Sequence, residues 1–226
     1  MKDRIFAIYG ASGFGREVMG VAKQQLLAEG YRGEIVYIDD NPSLREVGGT
    51  NVENYLEFLS ANVKKKFVAL AIADSSIRRQ LAGKLIGDGI EMWSIKANNV
   101  VVLDNVTIGN GSILCPFVTL TSDISIGRFF HANLYSYIGH DCHIGDFVTF
   151  APGVKCNGNV RIEDNVYIAT GAIIRQGSNN RPIIIGEGAK VGMGAVVTKS
   201  VAPRVTVIGN PARPLSKDSL RTNMGR

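Results

Sequence analysis

A chain of 226 residues, 45 % hydrophobic and 20 % charged, has room for one large domain or two modest ones. It holds no run of about 18 apolar residues and no charged-then-apolar leader, so a soluble, cytoplasmic protein with no membrane insertion is expected. The net charge of +5 is uneven: residues 1–145 carry 14 basic and 15 acidic groups, residues 146–226 carry 11 and 5. The basic residues of that last third are dispersed without interleaved aromatics, which argues against nucleic acid and leaves a solvated surface or a small polyanion as partner.

The first hundred residues alternate between strand and helix patterns. Residues 4–9 (RIFAIY) form a short apolar run that stops at Gly10, and a helical pattern runs from near Phe14 to about Glu29. Residues 34–38 (EIVYI) predict a second strand ending at Asp39 and Asp40, 55–62 a helix, 67–72 a third strand and 75–87 another helix. Such alternation implies a small parallel sheet covered by helices, a Rossmann-like α/β domain. The turn Gly10-Ala11-Ser12-Gly13-Phe14-Gly15 has the spacing G-x-x-G-x-G, related to the dinucleotide fingerprint without matching it. Glycines there let the backbone approach a phosphate, and the helix that follows offers free N–H groups. Asp39 and Asp40, at a strand tip, suit hydrogen bonds from a ribose or a base N–H. Each of these features also occurs in α/β units that bind nothing.

From Val102 onward the pattern changes. Stepping by six lands on Ile108, Leu114, Leu120, Ile126, Ala132, Ile138, Ile144, Phe150, Cys156, Ile162, Ile168 and Ile174, every one apolar. Two residues before each stands a small or apolar partner such as Val118, Ile124 or Val148, so two positions point inward with one outward between them, as in a short strand. Gly109, Gly127, Asn133, Gly139 and Gly145 follow the six-fold position, where the bends are expected. Six residues suit one side of a coil turning three corners, each coil stacking on the next at about 4.8 Å: a parallel β-helix. On an α-helix, residues six apart would not share a face. The register breaks at 175–182 (RQGSNNRP), a polar loop of the kind that folds over ligands, and resumes at Ile185, Val191 and Val197. Cys115, Cys142 and Cys156 show no metal-ligand pairing and suit reduced thiols. A short strand over 91–96 leads into the coil, giving domains 1–97 and 98–212 and a frayed tail 213–226.

Ile-Gly at 108, 126, 138, 144, 185 and 208, with the closing Ile208-Gly209-Asn210-Pro211-Ala212, resembles the hexapeptide-repeat acyltransferases. That resemblance implies a left-handed β-helix, against the usual crossover hand, packed as a homotrimer. GASGFGRE, IDDNP and AIADSSIRR look like the N-terminal domain of the PglD/NeuD-type sugar acyltransferases, which holds the nucleotide of a sugar nucleotide near the coil. The phosphate loop then falls on Gly13, Phe14 and Gly15, the nucleoside contacts on Asp39 and Asp40, and a third-strand contact on Ala73 with Asp74 adjacent. Relatives often have Gly-Asn at that last pair, which implies a different base or sugar here.

Three histidines are present. His131 and His143 lie between inward positions and are expected to point out from flat faces; His140 follows Gly139 at a corner. The run from Tyr137 to Asp146 resembles the family's catalytic stretch, making His140 the general base and Asp141 its orienting partner, where Glu is usual and one methylene longer. A base of near-neutral pKa is what proton removal from an attacking sugar amine requires. The co-substrate implied is acetyl-CoA, outside the coil and between subunits, with contacts falling on Thr149, Thr170 and Met193 and on the backbone of Gly171 and Ala195; some relatives have His in place of Thr149. The expected activity is N-acetylation of a dTDP- or UDP-linked 4-amino-4,6-dideoxysugar, with no metal and the base itself unspecified by the sequence. Competing readings are O-acetylation of the sialic-acid type, a zinc-dependent β-helix lyase using the three histidines, and a non-catalytic scaffold for sugar nucleotides.

Overall fold

The computed structural model describes residues 2–215. In chain order the N-terminal elements are β1 (Lys2–Tyr9), α1 (Gly13–Ala28), β2 (Ile35–Ile38), β3 (Glu46–Val47), β4 (Thr50–Glu53), α2 (Tyr55–Ser60), β5 (Val63–Leu70), α3 (Ser75–Gly87) and β6 (Glu91–Met92). They form a sheet of order β3-β4-β2-β1-β5-β6, parallel except for the β3–β4 hairpin. Residues along β1 alternate between two cores. Phe6 and Ile8 pack with Val18, Met19 and Ala22 of α1; Ile5, Ala7 and Tyr9 pack with Phe58 of α2 and Leu85 of α3. A strand covered on both faces needs a continuous apolar run, which is why RIFAIY does not alternate. Asn54 and Glu57 form a capping box on α2, and Asp74 caps α3 by accepting from the amides of Ser76 and Ile77. The hairpin over 46–53, turning at Gly48 and Gly49, has strands too short to leave a periodic trace in the sequence.

The coil begins at Ile95–Lys96 and is a left-handed β-helix with three faces. The first face carries Ile113–Leu114, His131–Ala132, Thr149–Phe150 and Tyr167–Ile168; the second Thr119–Leu120, Tyr137–Ile138 and Lys155–Cys156; the third Ile124–Ile126, His143–Ile144 and Val160–Ile162. Each strand pairs in parallel with the one a coil on: Ile113 with His131, His131 with Thr149, Thr149 with Tyr167. The inward residues, among them Ile126, Ile138, Ile144, Phe150 and Ile174, fill one prism-shaped core. The bends sit elsewhere than expected. Every sixth residue from Asn105 to Gly171 has a positive φ, between 56° and 74°, three positions after the inward residue; Phe129, Asp141 and Phe147 are among them. The glycines read as bends serve close approach instead: a Cβ on Gly139 would lie 2.7 Å from the Gly158 nitrogen of the next coil. At the insertion the pairing widens, Val160 meeting Ile183. Of the expected tail, Arg213–Pro214 pair antiparallel with the strand Thr206–Ile208, and 216–226 lie outside the described residues. No helix among the described residues is long and apolar enough to cross a membrane.

The α/β unit packs on the first face and on the edge between the third and first faces. Ile95, Ile113 and Cys115 join the core around Phe6 and Trp93, and Phe129 stacks on Phe147 at 4.8 Å within the core around Tyr55 and Leu85. Arg78 of α3 is fully enclosed at this junction. Its Nη1 donates to the carbonyls of Ile72 (2.6 Å) and Ala73 (3.2 Å), and its Nη2 to the Phe147 carbonyl (2.7 Å) and Thr149 Oγ1 (3.0 Å). Burial pulls its pKa down to about 9, with Asp74 opposing, so the guanidinium stays charged at neutral pH. His131, expected to point out from a flat face, does leave the coil outward, but that face is covered and the ring has no exposure. It lies 5.3 Å from the Phe14 ring, and among the described residues no hydrogen bond of normal geometry reaches either ring nitrogen, with the Leu70 backbone near enough to oppose the fall in its pKa. Burial first and the Arg78 charge second hold its pKa well below 6.5.

Two outcomes follow for stability. Arg78→Ala strips at least two charge-assisted bonds and leaves buried carbonyls unserved, so urea unfolding should show a loss of about 3 kcal/mol or more. His131 is neutral in the fold and takes a proton when unfolded, so its contribution is constant above pH 6.5 and declines as pH falls below that value, by about 1.4 kcal/mol per pH unit. Unfolding free energies between pH 7.5 and 5 should fall more steeply for the wild type than for His131→Leu.

Candidate functional site

Position along the repeat fixes position on the prism. His140 stands on the edge between the second and third faces, the edge opposite the face that the α/β unit covers. Asp141 takes the left-handed corner conformation, φ 56°, and its Oδ2 lies 2.6 Å from His140 Nδ1, so the shorter acid does reach the ring. Coils on either side pin this corner: the Asp141 amide donates to the Ser122 carbonyl (3.1 Å), and the His140 carbonyl accepts from the Asn159 amide (2.8 Å). Both side chains are half exposed, at 49 % each. With Nδ1 engaged by a carboxylate, Nε2 is the nitrogen left to accept a proton. The ring leans along the edge over Gly158, where a Cβ would come within 2.5 Å of Nε2; a glycine there gives the imidazole its place.

The glycine turn and its companions lie on the other side of the prism. Ser12 at the start of α1 makes no side-chain cap, and the first helical hydrogen bond is that of the Arg16 amide to the Ser12 carbonyl, which leaves the amides of Gly13, Phe14 and Gly15 without acceptors among the described residues. Gly15 is required sterically, since a Cβ would collide with the Gly10 carbonyl. Asp39 is committed to shaping this turn: Oδ2 accepts from the Ala11 amide (2.9 Å) and Oδ1 from the Asn41 amide (3.0 Å). Asp40 accepts from the Tyr9 hydroxyl (2.8 Å), whose pKa burial and this bond push up. Asp74 is the cap of α3, and Ala73 lines the cleft beside it.

Two adjoining cavities occupy that cleft, of about 320 and 250 Å³, sharing Ala73, Thr149 and Tyr167. One reaches Asn165 and Lys190; the other reaches Phe14, Glu17, His131 and Thr170. Thr149 belongs here, its Oγ1 held by Arg78, which leaves the hydroxyl hydrogen available to the cleft. Thr170, Gly171 and Met193 follow on the edge between the first and second faces, Met193 being 77 % exposed. Two of the expected backbone donors are already committed: the Gly171 amide to the Pro152 carbonyl (2.9 Å) and the Ala195 amide to the Gly192 carbonyl (3.1 Å), with the Ala195 side chain inside the core. Nothing in the sequence pattern marks Arg78, Glu17, Tyr167 and Lys190; only the docking of two domains brings them to one cleft. The three histidines stand on a face, an edge and another face, with His143 Nδ1 2.7 Å from Ser125 Oγ, and no group of three His, Cys, Asp or Glu among the described residues converges as a metal site requires.

Comparison with known proteins bears on the fold and the family. Residues 6–85 match the PglD N-terminal domain family. Over 214 residues, 94 % of this chain and 97 % of the relative, the sequence is 50 % identical to the GDP-perosamine N-acetyltransferase of Escherichia coli O157:H7. WeeI from Acinetobacter baumannii AYE is similar in structure with a TM-score of 0.91 at 53 % identity, over 94 % of this chain and 100 % of that one. The acetyltransferase domain of PglB from Neisseria gonorrhoeae FA1090, solved in complex with acetyl coenzyme A, is similar with a TM-score of 0.84 at 30 % identity over the same shares. The likeness runs through sheet and coil alike, and the chain belongs to the PglD-type sugar acyltransferases of the hexapeptide-repeat superfamily.

Proposed function

We propose that this protein transfers the acetyl group of acetyl-CoA to the 4-amino group of a GDP-linked 4-amino-4,6-dideoxysugar. The observation that carries the chemistry is the His140–Asp141 pair, with Nδ1 engaged at 2.6 Å and Nε2 open. The amine attacks the thioester carbonyl, Nε2 takes the proton that nitrogen sheds, and the tetrahedral intermediate collapses as the carbon–sulfur bond breaks and the thiolate leaves as CoA. A carboxylate beside the ring stabilises the imidazolium formed on the way. The acyl donor is supported by the acetyl-CoA complex of the PglB domain, and GDP, rather than the dTDP or UDP expected from the sequence, by the full-length likeness to the E. coli enzyme.

In the proposed division of labour, residues 1–97 hold the nucleotide on the free amides of Gly13, Phe14 and Gly15, and residues 98–212 supply the base. These two parts of one chain lie on opposite sides of the prism, so the acceptor held by one copy meets His140 of another, and Thr170 and Met193 furnish the facing wall for the donor. An exposed apolar strip supports association of copies, as a homotrimer: Phe117 stacks on Tyr135 at 4.7 Å, 52 % and 64 % exposed, beside Val101 and Leu103.

Thiol release measured with GDP-, dTDP- and UDP-linked 4-amino sugars should be fastest with the GDP-linked one; turnover with hydroxyl sugars alone would instead favour O-acetylation. His140→Ala should lower kcat by about 10²–10⁴-fold with both KM values close to wild type. Gly158→Ala, which displaces the ring without removing it, should lower kcat by a smaller factor in the same pattern; unchanged kcat in both variants would discard the base.

A further inference from the structure

Behind the edge that carries His140, the interior position is held by Ile124 in the coil before and by Val160 in the coil after; between them stands Cys142, and all three are enclosed. A thiol fills about the space of a small aliphatic group and adds one thing to it, a donor. Cys142 Sγ lies 3.3 Å from the Asn157 carbonyl oxygen and 3.6 Å from that of His140. The His140 carbonyl is already served by the Asn159 amide at 2.8 Å. The Asn157 carbonyl receives no backbone hydrogen bond among the described residues, so the thiol proton belongs there. Cys156 stands behind it, 3.7 Å from the same oxygen, and its bond to the Cys142 sulfur draws the Cys142 pKa down and pushes its own well above the ordinary thiol value. Burial and the Asp141 charge oppose the fall at Cys142, no cation bears on either sulfur, and both keep their protons at neutral pH.

The carbonyl in question belongs to the seat of the imidazole. The Asn157–Gly158 peptide lies directly against the corner below it: a Cβ on Gly139 would meet the Gly158 nitrogen at 2.7 Å and the Asn157 carbonyl carbon at 2.9 Å, and one on Gly158 would meet His140 Nε2 at 2.5 Å. The other polar atoms of Asn157 are tied elsewhere. Its amide and Nδ2 both donate to the Ile174 carbonyl (3.2 and 2.7 Å), and Oδ1 accepts from the Tyr137 hydroxyl (2.8 Å). These bonds leave the peptide that follows free to rotate about its long axis, and that rotation is stopped from inside the prism by the thiol.

We infer that Cys142 is a positioning residue for the proposed acetyl transfer, holding the Asn157–Gly158 peptide in the plane on which the His140 ring rests. The inference depends on His140 being the base. Cys142 touches no substrate and acts only through this peptide. A carbonyl left unserved in an apolar core turns toward any donor within reach, and a peptide that turns carries Gly158 with it. Displacing the base in this way slows proton transfer without altering what holds either substrate.

Steady-state kinetics on variants of the full chain test it. Cys142→Val puts at this position the residue the next coil already has there, so it should fold; it removes the donor, and kcat should fall by about three- to tenfold with both KM values unchanged. Cys142→Ser restores a donor and should return kcat to within about twofold of wild type. Ile126→Val trims the same core behind the third face; it should lower Tm and leave kcat at the wild-type value, which separates lost stability from lost position. Full kcat in Cys142→Val, a Cys142→Ser enzyme as slow as Cys142→Val, or an Ile126→Val enzyme equally slow would each overturn the assignment. A wild-type kcat in His140→Ala would instead overturn the base itself, a result distinct from the other three.

Discussion

Everything in this molecule depends on the strict parallel register of the coil. Because Ile113, His131, Thr149 and Tyr167 are one another's neighbours across successive strands, a residue's place in the repeat sets which face or edge it occupies, and its coil number sets its height. The apolar columns make this register costly to break, since a one-residue slip would turn Ile138 and Ile144 out of a core in which they are almost wholly buried. Stacking thus converts a one-dimensional pattern into fixed positions for polar groups on the outside. The first face becomes a docking platform and the opposite edge carries an imidazole.

How the α/β unit sits on that platform is decided by polar contacts set among apolar ones. Phe129, Phe147, Ile113 and Cys115 supply area, but area is tolerant of sliding. Arg78 is not: its donors need the carbonyls of Ile72 and Ala73 on one side and of Phe147 on the other, with Thr149 Oγ1 completing the set. A buried guanidinium served only by neutral acceptors gains little over a well-packed apolar side chain of the same volume, since desolvation offsets most of the attraction, although truncating it strands its acceptors. Its effect is on orientation. The same contact fixes Thr149 at the mouth of the cleft, so domain docking and the shape of the site are set by one side chain.

Much of this was legible in the sequence, for identifiable reasons. A six-residue period in apolar residues survives any detail of geometry, so the coil, its interruption at 175–182 and the corner location of His140 could be read directly. Alternating apolar runs and glycines gave the α/β unit, including α3 at 75–87. The misplaced features share a cause, which is that one-dimensional patterns do not record what covers what. The repeat places His131 outward, and it is outward from the coil, yet it is enclosed because a second domain lies over it. The glycines look like the bends in the sequence, whereas stacking geometry selects the positions that turn, even when they hold Phe129 or Asp141. The carboxylates of Asp39 and Asp74 carry a local duty that the sequence pattern does not record, accepting bonds from the turn and the helix start beside them while keeping lone pairs for a further donor.

Under the proposed function, the opposition of His140 and the glycine turn across a rigid prism has a consequence for catalysis. In a single flexible domain the reacting groups would be aligned anew in each cycle, and the ordering entropy would weigh on every turnover. With His140 fixed to one stack of strands and the glycine turn to another, the proposed function would have alignment settled once, when copies assemble, and shared by every site in the assembly. Neither element requires a moving lid to reach its place: Asp141 is held in its corner by Ser122, and Phe14 by contact with His131. What remains flexible, in the proposed function, is the donor. The rigid parts of such a site belong to the protein and the adjustable part to the substrate, which is the arrangement a stacked coil is suited to provide.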